Sequence, residues 1–424
     1  EFRRVLFRSQ MSGVRENASC VEAEQALRAN RGRKSMNLEV GLMNKALLAT
    51  TALVGAAVLA APANAGTVGS ADNMAVSLGG NFWFSAYLKD EDVSTLNRGY
   101  GFTVSESNII VSASATADNG VNYGVVINVN GGAADPNVAD EANAFLSSDS
   151  WGRVEMGDQD DAANRMQLGA WNAMKGAGGP AGGLGDHTTL FGGYGFDNTI
   201  SRADYQSFTT GDATKVTYFS PRFSGFQIGA SWTPDSGVAS GGAAADSDSD
   251  GDFENVASLA ANYVGTFGDA RIGLSAHMQR GTDEAAGGAE IEDLSVVGVG
   301  GNVAFGGFIL GAHYVDMGDF QLTEAQTTAG ADGGTLWSVG AGYQAGPWGV
   351  SAWYHKGEKD NSTTTSAAGA TETEVVRYGL GAGYAVAPGW DLRAELSWHK
   401  HDNPTTAAGV GGTTDNDGKG FLLV

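Results

Sequence analysis

From residue 66 onward the chain alternates apolar and polar residues in runs of roughly 8 to 14 and never sustains a long apolar stretch. Trp390, Leu392, Ala394, Leu396 and Trp398 share one parity, and Asp391, Arg393, Glu395, Ser397 and His399 share the other. Successive side chains of a strand point to opposite faces, so this run predicts a strand with one aliphatic face and one charged face. Phe226, Ile228, Ala230 and Trp232 form a similar face, as do Phe308, Leu310, Ala312 and Tyr314, and Tyr378, Leu380, Ala382 and Tyr384. Aromatics stand at the ends of these faces. A soluble sandwich has no need of them there, whereas a bilayer-spanning barrel carries an apolar outer band flanked by aromatic girdles.

Sixteen such runs are predicted, at about 76–88, 101–117, 121–130, 143–149, 153–158, 214–220, 225–233, 253–264, 269–281, 292–305, 308–316, 335–345, 348–356, 373–386, 390–401 and 418–424. Tight connections such as Asp118-Asn119-Gly120, Gly306-Gly307, Gly346-Pro347 and Pro388-Gly389 alternate with long acidic ones rich in Gly, Ala and Thr. Short turns at one end and long loops at the other describe an antiparallel transmembrane β-barrel. Closure is required, because an open edge in hydrocarbon leaves backbone groups unpaired. The fold class is therefore all-β, a barrel of about 16 strands whose interior is too wide for side chains to fill.

One connection breaks the pattern. Residues 159–213 lack strand alternation yet contain Met166, Leu168, Trp171, Met174, Leu190, Phe191, Tyr194, Phe196 and Tyr205. Apolar residues in so long a loop call for burial, so this third long loop is expected to fold inward against the wall and narrow the lumen. Its acids Asp158, Asp160, Asp161, Asp186 and Asp197 would then line a constriction. The competing reading is an outer lid whose aromatics pack on other loops or a neighbouring subunit. Inward-facing bases by parity are Arg153, Lys215, Arg271, Arg377 and Arg393, spread around the wall.

Export follows from the N-terminal region. Met43-Asn44-Lys45, the apolar stretch Ala46 to Ala61 and the ending Ala63-Asn64-Ala65 read as a signal peptide over 43–65. Residues 1–42 fit nothing else and are expected to be an artefactual or disordered upstream extension. The single cysteine, Cys20, lies within it, so residues 66–424 can form no disulfide. The first 65 residues hold 9 of the 25 Lys and Arg and 5 of the 48 Asp and Glu, which leaves a net charge of −27 on the remainder. Such a chain excludes phosphate-mediated nucleic-acid binding and gathers cations.

These residues carry a resemblance. Val76-Ser-Leu-Gly-Gly-Asn-Phe-Trp-Phe84 resembles the first strand of the general diffusion porins of Gram-negative proteobacteria. Trp151-Gly-Arg-Val-Glu-Met-Gly157 is similar to the strand that leads into their constriction loop, which also follows the fifth strand. Val216-Thr-Tyr-Phe-Ser-Pro-Arg-Phe-Ser-Gly-Phe226, the most specific match, resembles their strand–turn–strand after that loop. The resemblance covers 66–424. It implies a homotrimer of sixteen-stranded barrels in the outer membrane, passing small hydrophilic solutes and ions by diffusion. Two departures stand out. Runs 101–117, 121–130 and 143–149 contain no Lys or Arg, where the family sets a basic cluster, so a cation preference is expected instead. The last run, ending Gly420-Phe-Leu-Leu-Val424, is shorter than a full span and lacks a closing aromatic, so the record is expected to stop a few residues early.

Other chemistry is weak. No nucleophile elbow, P-loop or His-Glu-x-x-His occurs, so an enzyme is not expected. Asp246, Asp248, Asp250 and Asp252, with Gly251, resemble the start of a calcium loop, but Ala257 stands where the bidentate Glu belongs. A solvated acidic loop is the preferred reading and calcium the alternative. His399 and His401 share a face and are read as pore-lining or loop-base imidazoles. Trp83, Tyr87 and Trp353 face inward, which keeps a sugar-type specific channel as the alternative function; a barrel enzyme ranks below it.

Overall fold

The computed structural model describes residues 66–71, 74–92, 99–131, 139–180, 198–202, 210–237, 252–284, 290–360, 372–402 and 416–424. Both N-terminal segments, 1–42 and 43–65, lie outside them. The strands are β1 (Gly66–Ala71), β2 (Met74–Glu91), β3 (Tyr100–Thr116), β4 (Asn122–Asn130), β5 (Ala139–Ser148), β6 (Gly152–Asp158), β7 (Thr214–Phe219), β8 (Phe226–Asp235) and β9 (Phe253–Phe267). They continue with β10 (Ala270–Asp283), β11 (Leu294–Phe305), β12 (Phe308–Asp316), β13 (Thr335–Ala345), β14 (Trp348–Asp360), β15 (Glu372–Ala387), β16 (Trp390–Asp402) and β17 (Asn416–Leu423).

Strands β2 to β17 pair antiparallel, each with its sequence neighbours, and β17 returns to β2 with Gly418–Leu423 opposite Glu91–Ala86. Sixteen strands thus close into a barrel, and each predicted run falls on one of them. β1 was not expected. It pairs with Met74–Leu78 on the same edge of β2 that β17 uses further along, and its six small or short residues offer little alternation to read. The tight connections are turns whose backbone suits their residues. At Gly306 and Gly307 both φ values are positive, at 55° and 87°, a hairpin geometry that a Cβ would disfavour.

The apolar parity faces outward. Phe226 and Phe308 are each 60% exposed, and Ile228, Leu310, Leu380 and Leu396 lie on the same face. Two aromatic belts edge this band. Trp348–Tyr384 and Phe308–Tyr343, with ring centroids 4.3 and 4.5 Å apart, sit near the short turns. Trp337–Tyr354 and Tyr378–Trp398, at 5.0 and 5.4 Å, sit toward the long loops. Tyr378 and Tyr384 are six residues apart on β15, roughly 20 Å at strand rise, close to the height of a lipid-facing band.

The inner face is polar, but not throughout. Toward the long loops of β9 to β15, Phe253, Val256, Leu294, Val315, Leu336 and Val375 form a buried apolar cluster that also takes in Ile200 from the loop after β6. On this side apolar side chains from the strand ends meet a loop residue and are buried with it.

Candidate functional site

The loop after β6 is the one connection whose described residues touch most of the wall. Gln159 to Asp161 leave β6 and enter a short helix, α1 (Ala162–Met166), which Asp161 caps by accepting the Asn164 N–H at 2.9 Å. A single 3-10 turn follows at Ala170–Ala173, where the Asn172 amide oxygen accepts the Gly169 N–H at 2.9 Å. Between them the backbone runs across the wall's polar face. The Leu168 N–H donates to Ser275 Oγ on β10 at 2.8 Å, and the Lys175 N–H to Ser351 Oγ on β14 at 2.9 Å. Gly178 and Gly179 donate to the buried Glu395 carboxylate on β16, at 3.1 and 2.9 Å. Residues 162–179 therefore span the inner wall from β8 to β16.

Glycines make that course possible. A Cβ on Gly300 of β11 would fall against the Leu168 carbonyl oxygen, and one on Gly342 of β13 against that of Ala173. Gly311 meets Gly169, and Gly381 and Gly383 meet Gly176 and Lys175. The inward glycines thus form a track that lets the loop backbone lie directly on the sheet. The loop's apolar residues use this contact. Met166 packs with Phe219 and Ala260, Leu168 lies against Gly273, and Trp171 meets the His313 ring edge-on at 4.8 Å. Leu190, Phe191, Tyr194, Phe196 and Tyr205 lie outside the described residues.

Asp161 is fully buried, at 0% exposure. Beyond its cap, its Oδ2 accepts from Thr210 Oγ1 at 2.9 Å, Ser258 Oγ at 2.8 Å and Gln279 Nε2. It joins the start of the loop to its end and to β9 and β10. Lys215 is also buried and donates to the carbonyls of Gln159, Gly211 and Ala213. Further along, a second short helix, α2 (Asn198–Ser201), is held by β14 and β15: His355 Nε2 donates to the Ile200 carbonyl at 2.7 Å and Arg377 to that of Ser201.

Lys215 and Arg377, inward by parity, are both buried. They are covered by the loop they bind, as is Asp161. Asp158 is half-buried and accepts from Thr214 Oγ1. Asp160 is half-buried and accepts from the Asn164 amide at 2.8 Å. Arg153 pairs with Glu155, Arg393 lies 3.2 Å from Asp391, and Arg271 is exposed on the inner face. Asp186, Asp197, Asp246, Asp248 and Asp250 lie outside the described residues, and Asp252 is half-buried just before β9. His399 and His401 share the inner face of β16 and are buried. Trp353 is only 4% exposed and lies 5.4 Å from the Arg377 guanidinium, so it offers no open surface for a sugar ring. One three-carboxylate group occurs among the described residues, Glu358, Glu372 and Glu374, and Lys356 already bridges two of them at 2.6 and 3.0 Å.

Two charge groups were not legible beforehand. Asp140 and Glu141 on β5 meet Asp160 and Asp212 at the two ends of the loop, toward the long-loop side. Burial and then the charges of Asp160, Glu141 and Asp140 push the Asp212 carboxyl up to about 7. Burial likewise raises that of Asp160. Toward the short turns, the buried Glu155 takes Arg153 from its own strand and Arg165 from α1. Arg165 was overlooked because helix α1 is too short to show a period; Arg222 was overlooked because it stands in a turn.

Residues 49–404 match the model of a family described as Gram-negative porin. Among solved structures, the chain is similar to an anion-selective porin from Comamonas acidovorans, at 16% identity, TM-score 0.53, over 83% of this chain and 100% of that one. It is also similar to OmpT, an outer membrane protein of Vibrio cholerae, in a trimer form, at 15% identity, TM-score 0.52, over 83% and 99%. No curated protein matches the sequence.

Proposed function

The chain belongs to the Gram-negative porin family, and on that premise we propose that it is a passive channel for small hydrophilic solutes and ions, narrowed by the loop after β6 and preferring cations. Membership of this family and the barrel fold together imply the outer membrane. Solutes cross by diffusion, with no reaction at any residue. The observation that carries the selectivity reading is the group Asp140, Glu141, Asp160 and Asp212, in which the charges of the first three add to burial in raising the Asp212 carboxyl. Carboxylates at a narrow point attract cations and repel anions. The anion selectivity of the Comamonas protein belongs to that protein, whose likeness to this chain is one of fold. A homotrimer is the assembly we expect, on the precedent of the trimeric OmpT form.

The test is a reversal potential across a planar bilayer in a salt gradient, taken from pH 8 to pH 5.5. Asp212 is ionised above its pKa of about 7 and neutral below it. Cation preference should therefore fall as pH drops, with a midpoint near that value. Asp212→Asn should hold the lower preference at every pH. A potential that favours anions throughout, or that ignores pH, would refute the assignment.

A further inference from the structure

At the short-turn end of the barrel, beneath the loop, lies a cavity of about 630 Å³ lined by Arg153, Arg165 and Arg222. We propose that this cavity binds a small oxyanion through phosphate or carboxylate oxygens.

Three guanidinium groups meet here in a chain whose residues 66–424 carry a net charge of −27, with only 9 arginines among them. Each is held by a separate device. Arg153 uses Nε on Glu155 and lies with its guanidinium carbon 3.8 Å from the centre of the Phe145 ring. Arg165 takes both Glu155 oxygens and lies 4.6 Å from the Phe219 ring centre. Arg222 donates through Nη1 to the Gly225 carbonyl at 2.7 Å, and through Nη2 to Gln227 at 2.7 Å and Asn262 at 2.9 Å.

These contacts orient the groups without using all their donors. Both Nη atoms of Arg153 and the Nε of Arg222 bond no protein group among the described residues. Asp149 is the one acid in the lining. Glu155 lies behind the arginines, its side chain 3% exposed, so the surface a solute meets is positive even with that carboxylate counted. Oriented guanidinium donors in a partly closed space suit the oxygens of a phosphate or carboxylate, and the volume fits a small ligand. Four residues of β6 lie between Arg153 and Asp158, and across that distance Arg165 still acts on the charge of Asp160.

Binding can be measured without any current. Phosphorus NMR of inorganic phosphate, added to the folded full-length barrel in detergent, should broaden saturably, and unlabelled succinate should compete if the site takes carboxylates too. Arg153→Gln and Arg222→Gln should each raise the half-saturating concentration about tenfold, the loss of one charge-assisted contact. Lys400→Gln, on the far side of the barrel, should leave it unchanged. Two variants guard against one that fails to fold, which the mobility shift on heating reports. In a bilayer, phosphate on one side alone should reduce the current. Absence of saturable broadening, or broadening that both arginine variants retain, would overturn the site, even in a channel that conducts. A barrel that binds phosphate but passes no current would instead overturn the diffusion reading and leave this one standing.

Discussion

Asp161→Ala is expected to release the loop from the wall, raising single-channel conductance and admitting larger neutral sugars in liposome swelling. The side chain is fully buried, and one carboxylate caps α1 and accepts from Thr210, Ser258 and Gln279. Hydrogen bonds to a buried charge contribute about 1.5–3 kcal/mol each, and donors left without an acceptor add a desolvation penalty. Loss of the cap adds about 1 kcal/mol. Together these exceed what the loop recovers from any single remaining anchor, so its first half should lift while the barrel's ladders stay paired. Asp161→Asn should be little better. It puts an NH₂ group where three donors converge, although it preserves shape. Unchanged conductance and unchanged size exclusion in both variants would show that the loop does not set the constriction.

Gly300→Val should displace the same loop from the other side. Its Cβ would collide with the Leu168 carbonyl oxygen, and backbone on both sides of that contact leaves no flexible atom to yield. The strand itself gains a residue that favours extended structure, so the barrel should assemble. The loop should move, become open to limited proteolysis near residues 168–175, and change conductance by about twofold or more, as the hindrance of a narrow pore depends steeply on its width. Gly342→Val should act alike, against Ala173. Ala341→Val, one residue away and facing outward, is the control, since it adds only lipid-facing surface. A loop that remains protected in both glycine variants would mean that the track is incidental.

The alternation along the chain was enough to place sixteen strands, to tell the short turns from the long loops, and to assign faces. Phe226, Ile228 and Trp232 lie outward, and Gln227 and Ser231 inward, as their parity requires. Each inference rests on a period of two, and a strand's backbone imposes that period wherever it pairs. β1 escaped because Gly66–Ala71 has no large side chains to alternate. That Gly176 and Lys175 lie against Gly381 and Gly383 was not legible, because no local pattern in a strand records which distant backbone crosses it.

The charges at the site were the least legible part. Asp160 and Asp161 are adjacent in sequence and look alike, yet one is half-buried beside other acids and the other is wholly enclosed by donors from β9, β10 and the loop's far end. Lys215 and Arg377 share a parity with the exposed Arg271, but a loop carbonyl lies over each of the first two. The arginine cavity draws on β6, α1 and the turn between β7 and β8, over a separation of some 70 residues that no local pattern records. The sequence by itself determined which side of the wall each residue faces, because that depends only on position along a strand. Tertiary structure decided which inward residues meet water and which are covered, because that depends on the path of one loop across nine strands and on the register that brings distant side chains beneath it.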